Sequence, residues 1–293
     1  SAENLWIAYV ATALLSTFGA FFDGAKNAAT PNLTGKEGLL AGTALMFSTR
    51  FLLMAIGSAL GGWAAYLFGY QIAFIINAAS FLISAWTVWL IPEEAVSEKG
   101  SGGEEEKGSE RESFWFELKE GFRYAVGNRF AFTILLMNII WATGGGAINI
   151  VIERMGGVFY AEKESWNPDV AVALLWTASG FGLFLGMMIA RRTSIYLDRK
   201  NSAYSFIGWT LIIHGILFAA AGFMPNLWLF ALLTFVSRAI VGVEYAVQET
   251  MFQRSLPDYI RGRISTLDRG AELGMFGLSS YISSLAMYQI SPQ

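Results

Sequence analysis

The otherwise apolar run 227–251 is interrupted by three charged residues, Arg238, Glu244 and Glu249, and the first two are the strongest candidates for a chemical role in this sequence. Arg238 lies ten residues beyond Trp228, about 15 Å along a helix, and Glu244 lies six residues further. An unpaired charge at that depth in a membrane costs several kcal/mol, so each must face protein or water. Spacing of six residues puts them on different helix faces, so we expect no ion pair between them. Glu244 is a candidate proton carrier, and a structural bond between helices is the plainer interpretation.

A second group of polar residues interrupts the apolar run 130–152. Asn138, Trp141 and Asn149 lie here, on either side of three consecutive glycines, Gly144 to Gly146. Consecutive glycines weaken a helix, and the backbone groups that they free must be satisfied by protein or water. We therefore predict a bend beside a cavity.

No catalytic constellation can be assembled from these residues. The chain has one histidine and no cysteine, which excludes the common zinc sites and a cysteine nucleophile. Sequence patterns typical of serine hydrolases, zinc proteases and phosphate-binding loops do not occur in it. Its basic turns lack interleaved aromatic residues. We expect no enzyme, no cofactor, no metal and no nucleic acid partner.

The elements that position these polar residues are apolar runs of membrane-spanning length. Hydrophobic residues make up 54% of the chain and charged residues 15%, which is not the composition of a soluble globular protein. About 20 apolar residues of α-helix are needed to cross roughly 30 Å of hydrocarbon. The sequence predicts an all-α polytopic membrane protein with eight transmembrane helices, at residues 5–22, 51–69, 72–91, 130–152, 170–190, 203–223, 227–251 and 273–290.

The layout of residues 22–62 returns at residues 245–284, with Leu33 falling on Leu256. Both copies run from an apolar helix through a basic polar turn to another apolar helix, as in internally duplicated membrane proteins. We predict two pseudo-symmetric halves, 1–91 with three transmembrane helices and 129–293 with five. The same offset predicts about three further helices before the chain and one after it, so we expect a fragment.

Residues 92–128 separate the predicted halves. Residues 93–112 are almost entirely Glu, Gly, Ser and Lys, which indicates a flexible linker. Phe114, Leu118 and Phe122 follow at intervals of four, which predicts an amphipathic helix on the membrane surface. Lys and Arg are concentrated in short loops on one side of the predicted topology, which places that side and the linker in the cytoplasm. We expect a multi-pass protein of the cell (inner) membrane.

Small residues four apart predict close approach between helices. Gly57 and Gly61 form one such pair, followed by Gly62, and Gly182 and Gly186 form another. Charged residues three apart at a helix end, Asp23 and Lys26, can pair on one face at the membrane edge. Helix capping and anchoring are the plainer interpretation of that pair, and a gate latch is the sharper one.

Four stretches resemble the major facilitator superfamily, in its branch of bacterial drug, macrolide and siderophore exporters. FFDGAKNAATPNLTGKEGLLAGTALMFSTR is similar to the connection between the fourth and fifth helices of that fold, and FWFELKEGFRYAVGNRFAF to its lead-in to helix seven. LPDYIRGRIS resembles the turn between helices ten and eleven. ARRTSIYLDRK is a degraded form of the family's basic loop signature that keeps Asp198 and Arg199. The chain would then cover helices four to eleven of twelve.

The resemblance implies a secondary active transporter that works by alternating access. In that fold the first, fourth, seventh and tenth helices line the central cavity. The expected substrate site near the midplane comprises Asn138, Trp141, Asn149, Arg238 and Glu244. The expected latch on the cytoplasmic side comprises Asp23, Lys26, Asp198 and Arg199.

The resemblance also implies what is carried. We expect a monomer that exports a small amphipathic molecule of the drug, macrolide or siderophore class, with a proton as candidate coupling ion. The family's antiporter signature GPxxGG falls on residues 57–62, where Ser58 stands in place of proline. Two alternatives remain open: a lysophospholipid transporter or flippase, and a non-transporting membrane scaffold in which buried charges only hold helices together.

Overall fold

The computed structural model describes residues 5–91, 114–200, 202–256 and 258–289 of the chain, with some side chains in these ranges left out. Among the described residues there are helices and short connections and no strand. In chain order the elements are α1 (Leu5–Trp89), α2 (Phe114–Gly127), α3 (Arg129–Arg154), a π-helix (Met155–Tyr160), α4 (Ala161–Glu164), α5 (Pro168–Lys200), α6 (Ala203–Ala221), α7 (Leu227–Ser255) and α8 (Asp258–Gln289).

Five helical stretches of the described chain are long and apolar enough to cross a membrane, where the sequence predicts eight. The predicted helices 51–69 and 72–91 fall together in one stretch, and 5–22 contributes only a short apolar helix, Val10–Gly19. The predicted helix 273–290 is helical but carries four serines between positions 279 and 284, which lower its hydropathy. The five stretches are Ser48–Trp89, Ala131–Glu164, Pro168–Ala190, Tyr204–Ala221 and Leu227–Glu249.

α1 is 85 residues long, about four times the roughly 20 residues that one crossing of the hydrocarbon core requires. Gly69 interrupts it with a φ of +77°, a left-handed conformation that glycine adopts at no steric cost. This is the junction predicted between helices 51–69 and 72–91. The polar turn predicted between about residues 29 and 39 is helical instead, because a lone proline such as Pro31 is tolerated within a membrane helix.

Two compact units divide the chain. One is formed by Ser1–Thr49 with Phe74–Glu106, and the other by Arg50–Ala73 with Lys107–Gln293. The predicted domains, 1–91, 92–128 and 129–293, stay a prediction. The candidate site described below lies wholly within the second unit.

The largest apolar core of the second unit, here called the outer cluster, joins α3, the π-helix, α5, α6 and α7 on the predicted outer side. Tyr160 is fully buried in it, with its ring centroid 5.7 Å from that of Phe230. The Tyr160 hydroxyl donates a 2.7 Å hydrogen bond to the carbonyl oxygen of Met224. The segment 153–169, expected as a polar outer loop, is mostly helical because its aromatic residues pack into this core. The cluster comprises Ile148, Ile152, Tyr160, Ala171, Leu175, Ala221, Leu227, Phe230 and Ala231.

Two glycines of α5 lie directly against α7. A Cβ at Gly182 would meet the carbonyl oxygen of Phe235, and a Cβ at Gly186 would meet that of Ala239. Gly242 of α7 is equally close to the backbone of α5. Residues without a side chain allow two helix backbones to approach this closely. Gly182 and Gly186, whose spacing predicts close approach to another helix, therefore lie at the crossing of α5 and α7.

The glycines of α1 differ in whether another helix lies against them. The described chain has no atom within 4 Å of the position that a Cβ would take at Gly57 or Gly61, so their predicted packing role stays a prediction. Gly62 does meet a neighbour, since a Cβ there would contact the Cβ of Ala173 in α5. The close approach in this stretch is therefore at Gly62.

Residues 50–73 follow α5 over several turns. Ala55 lies against Gly180, where an added Cβ would be 2.7 Å from the Ala55 nitrogen. Farther along, the hydroxyl of Tyr70 donates hydrogen bonds of 2.8 and 2.9 Å to the two carboxylate oxygens of Asp169. The two segments are thus antiparallel where they touch.

α3 is continuous through the glycine triplet, which packs against α8, and the predicted bend stays a prediction. A Cβ at Gly146 would meet the carbonyl oxygen of Phe276 and lie 2.9 Å from the backbone nitrogen of Ser280, both in α8. The hydroxyl of Ser279 donates to the carbonyl oxygen of Thr143. The triplet therefore brings α3 and α8 together just beyond the candidate site.

α2 is the helix predicted after the linker, and one side of it packs on α8. Gly121 lies against Arg263, where an added Cβ would be 3.3 Å from the carbonyl oxygen, and Glu120 forms an ion pair with the same arginine. Phe122 and Val126, four residues apart, are 59% and 56% exposed. An exposed apolar pair is what an interfacial helix offers to lipid, and that location stays a prediction.

Candidate functional site

A polar pocket lies where α3, α7 and α8 meet. Its cavity volume of about 20 Å³ has room for about one water molecule in this conformation. All of its lining side chains are polar, acidic or aromatic, and no Lys or Arg is among them. The lining residues are Asn138, Trp141, Glu244, Tyr245, Gln248, Glu249, Asp268 and Glu272.

Three helices each place a polar residue at a similar distance from their ends on the predicted cytoplasmic side. Asn138 lies nine residues from the start of α3, Asp268 ten from the start of α8, and Gln248 seven from the end of α7. At 1.5 Å per residue these positions are about 14, 15 and 11 Å from the helix ends on the predicted cytoplasmic side. The pocket is therefore about two to three turns from these helix ends, and on α7 it lies at the end of the apolar stretch Leu227–Glu249.

Asn138 links the three helices through its side-chain amide. Its Nδ2 donates hydrogen bonds of 3.0 and 2.9 Å to the two carboxylate oxygens of Asp268. Its Oδ1 accepts a hydrogen bond from Nε2 of Gln248. A network of this kind holds its members in place because every broken bond would leave a buried polar group unpaired.

Glu244 takes no part in this hydrogen-bond network. Its side chain is 1% exposed, and Oε1 is buried with no hydrogen-bond partner among the described residues. By contrast, Glu272 accepts a 2.7 Å hydrogen bond from Arg269. A buried oxygen without a partner is costly, so its retention in a pocket indicates a functional use.

Aromatic rings form one wall of the pocket. The ring centroids of Trp141 and Tyr245 lie 6.3 Å apart with the planes inclined at 37°. Aromatic faces of this size offer a large apolar contact area and a negative π-surface. The pocket thus combines hydrogen-bond acceptors and carboxylic acids with an apolar wall.

Metal binding is not suggested by the geometry of the described residues. Within them, no three His, Cys, Asp or Glu side chains are grouped so that they could hold a metal ion. The arrangement instead suits binding through charge, hydrogen bonds and ring contacts.

Arg238 lies outside the pocket, although the sequence places it in the substrate site. It is 7% exposed at the α5 crossing, with Nε unpartnered in the described chain, and no ion pair there joins it to Glu244. The neighbouring Ser237 hydroxyl lies 2.6 Å from Nδ1 of His214. The six-residue spacing explains the separation, because the two charges face different neighbours.

The other predicted site residues are not brought to the pocket by the described contacts. Asn149 is half-buried in α3, three turns beyond Asn138, and does not line the pocket. The side chains of the predicted latch lie outside the described part of the structure, although their backbones are helical. The latch comprises Asp23, Lys26, Asp198 and Arg199.

Five lining residues were not predicted as site residues. Asp268 and Glu272 were taken to precede the last membrane helix, whereas α8 already begins at Asp258. Their spacing of four residues, on a helix extended inward from its apolar run, is the signal that could have found them. The five residues are Tyr245, Gln248, Glu249, Asp268 and Glu272.

Comparisons with known proteins agree on one family. The sequence profile of the Major Facilitator Superfamily matches residues 1–283. The chain is 23% identical over 285 residues to the uncharacterized MFS-type transporter YfiS of Bacillus subtilis (strain 168), an alignment that covers 94% of this chain and 65% of that protein. The chain thus spans just under two thirds of the length of this relative. No solved structure matches the chain with significant similarity.

Proposed function

The chain belongs to the major facilitator superfamily and is an all-α, multi-pass membrane protein; on this premise we propose that it is part of a secondary active transporter. The proposed activity is export of a small amphipathic molecule by alternating access, in the cell (inner) membrane and as a monomer. A proton is the candidate coupling ion.

The observation that carries this proposal is the unpartnered Glu244 in a polar pocket built by three membrane helices. Its Oε1 has no hydrogen-bond partner among the described residues, although the side chain is 1% exposed. Nothing in packing requires a carboxylate there, because a leucine or glutamine of similar size would avoid the cost of desolvation. A group that a substrate or a proton contacts during part of a cycle accounts for its presence.

The small size of the pocket supports the proposal of alternating access. With room for about one water molecule, it must open by movement of its helices before a larger molecule can bind. In transporters built from two repeats, such movement is a rocking of one repeat against the other around a fixed site near the midplane. We assign Asn138, Trp141 and Glu244 to substrate contact. Arg238 and Asn149 would contribute in other conformations, and the predicted cytoplasmic latch would close the inner side.

A non-transporting scaffold is the main competing function. The bonds from Asn138 to Asp268 and Gln248 fit it, since they join three helices and need no substrate. The unpartnered Glu244 does not fit it, because a carboxylate without a partner joins nothing. A lysophospholipid transporter shares the same mechanism and differs in the molecule carried.

The test is transport by the intact protein reconstituted in proteoliposomes, with a panel of amphipathic solutes that includes lysophospholipid. We expect Glu244→Gln to lower the rate for the carried solute by about tenfold or more, because the variant loses the charge but keeps the shape. Arg238→Ala should also lower it. Glu162→Gln, at an exposed position of α4, is the matched control and should transport as the unaltered protein does.

Full transport by both Glu244→Gln and Arg238→Ala would show that these residues are not in the substrate pathway. Absence of movement of any solute or proton by the unaltered protein would favour the scaffold. Selective movement of lysophospholipid would favour the lipid transporter.

A further inference from the structure

α2 has one packed side and one exposed side. Gly121 and Ala125, four residues apart, are buried on the packed side, where Gly121 lies against α8. Spacings of three and four residues place the four exposed residues on one face of the helix. Two of them, Phe122 and Val126, are apolar and more than half exposed. This exposed side, here called the α2 face, comprises Lys119, Phe122, Arg123 and Val126.

The α2 face carries positive charge and no acidic residue. In the described structure no hydrogen bond or ion pair joins the side chain of Lys119 or Arg123 to another residue. Arg129, the first residue of α3, is also exposed, and its side chain likewise has no partner there. Glu120 is half-buried and forms its ion pair with Arg263 of α8. Three cations thus lie close to two exposed apolar residues.

α2 joins a membrane helix through a single residue, Asn128. Oδ1 of Asn128 accepts a 3.2 Å hydrogen bond from the backbone nitrogen of Ala131, which caps the start of α3. The stretch of α3 that is long and apolar enough to cross a membrane begins at Ala131. Phe132 and Leu136, 47% and 46% exposed, continue an exposed apolar surface along that stretch. The α2 face therefore lies next to the surface that α3 offers to lipid chains.

Cations beside exposed apolar residues at this boundary match the chemistry of an anionic phospholipid. The apolar side chains of an interfacial helix enter the acyl-chain region, and neighbouring Lys or Arg side chains are attracted to anionic headgroups. Each such cation strengthens binding to an anionic membrane surface by about fivefold. A zwitterionic headgroup has no net charge to balance three cations, and a soluble anion would leave Phe122 and Val126 uncovered.

We propose that the α2 face and Arg129 form a binding site for anionic phospholipids of the cytoplasmic leaflet. Phe122 and Val126 lie among the acyl chains, and Lys119, Arg123 and Arg129 contact the phosphate oxygens. The bound lipid fixes α2 at the membrane surface and so anchors the end of α8 against which α2 packs. This inference goes beyond the transport proposal and does not depend on the solute carried.

The experiment is native mass spectrometry of the intact, detergent-purified protein, titrated with phosphatidylglycerol and with phosphatidylcholine of the same acyl chains. We expect the protein to retain phosphatidylglycerol in preference to phosphatidylcholine. Arg123→Gln should weaken binding of phosphatidylglycerol by about fivefold, because it removes one cation from an exposed position where folding does not depend on it. Arg192→Gln removes an exposed cation of α5, outside the α2 face, and is the matched control that should bind as the unaltered protein does.

Two further arms separate a lipid site from a site for soluble anions. Phe122→Ala removes apolar contact without a change in charge, so it should weaken binding of phosphatidylglycerol severalfold. Glycerophosphoglycerol, the same headgroup without acyl chains, should not displace the lipid at equal concentration. Displacement by this soluble phosphodiester would overturn the assignment to lipid.

Three other results would also overturn the inference: equal retention of the two lipids, unchanged binding in Arg123→Gln, or equal losses in Arg123→Gln and Arg192→Gln. The last result would mean that all inner cations attract anionic lipid alike and that the α2 face is no particular site. None of these results affects the transport proposal, which is tested separately by solute movement in Glu244→Gln.

Discussion

The outer cluster and the polar pocket share the helices α3 and α7 but satisfy their polar groups differently. Beside the outer cluster, Glu164 uses both carboxylate oxygens: Oε1 accepts from the backbone nitrogen of Leu227 at 3.0 Å, and Oε2 accepts from Nε1 of Trp166 at 3.2 Å. In the pocket, Oε1 of Glu244 is buried without a partner in the described chain. One glutamate completes a structure, and the other is available to a ligand.

This difference indicates which end of α7 is held rigidly and which end is available for function. The first bond of Glu164 caps the start of α7, which together with Tyr160 and Phe230 fixes that end in an apolar core. Glu244, 17 residues beyond Leu227, is the first of the polar side chains that the same helix carries into the pocket. Sites that must change during a cycle are drawn from the less tightly satisfied parts of a structure. We therefore expect the outer end of α7 to be the anchor and the pocket end to be the part that responds to substrate.

The strongest test of this comparison is to replace glutamate by glutamine in both regions. Glu164→Gln keeps one acceptor oxygen and replaces the other by an amide nitrogen, so one of two bonds to a charged acceptor is lost. It should lower stability by about 1.5–3 kcal/mol. Glu244→Gln removes a buried carboxylate that has no bond to lose at Oε1, so the midpoint of thermal unfolding should stay the same or rise. Thermal unfolding of the detergent-purified variants measures both.

The two variants should also differ in the opposite sense in function, with transport retained in Glu164→Gln and lost in Glu244→Gln. A marked loss of stability in Glu244→Gln with no loss in Glu164→Gln would reverse the roles that we assign to the two regions.

A substitution with a smaller expected effect tests the boundary between the two regions, which lies at the glycine triplet of α3. Gly146→Ala places a methyl group against the backbone of α8 at Phe276 and Ser280, so the helices must separate. We expect a loss of about 1–3 kcal/mol in stability, together with weaker ligand binding because Asp268 moves with α8. Thermal unfolding and ligand titration are the measurements.

Gly144→Ala is the control from the same triplet. No described atom lies within 4 Å of the Cβ that it adds, and alanine favours helix more than glycine does by up to about 1 kcal/mol. Its stability should be unchanged or higher. Equal losses in the two variants would mean that the triplet matters for helix flexibility and not for contact with α8.

The fold class follows directly from hydropathy, whereas helix boundaries do not. Runs of apolar residues identify membrane helices because the bilayer excludes unpaired polar groups, and the family match supports the same fold class. The number of crossings is less certain from composition, as the serines of α8 and the continuous α1 show. The positive φ of Gly69 lies at the predicted end of helix 51–69, within the one continuous helix α1.

The site was predicted in part for a related reason. Asn138, Trp141 and Glu244 stand out as polar or amphipathic residues within apolar runs, and the structure brings them together. Arg238 stands out equally, but it lies on the side of α7 that faces α5. Sequence spacing alone does not tell which helix packs against that side. Asp268 lies in a polar stretch, so nothing in its immediate sequence sets it apart from a turn. Its importance depends on contact with Asn138, 130 positions away.

Alternating access of the pocket is the central claim, and it can be measured without knowledge of the substrate. The chain has no cysteine, so Gln248→Cys, Glu162→Cys and Trp209→Cys each add one thiol to it. A membrane-impermeant maleimide is then applied to either face of sealed vesicles that contain the intact protein. Glu162→Cys should react from the outer face only, and Trp209→Cys, on the exposed apolar surface of α6, from neither. The account predicts that Gln248→Cys reacts from both faces; reaction from one face alone, under every condition of gradient and ligand, would contradict it.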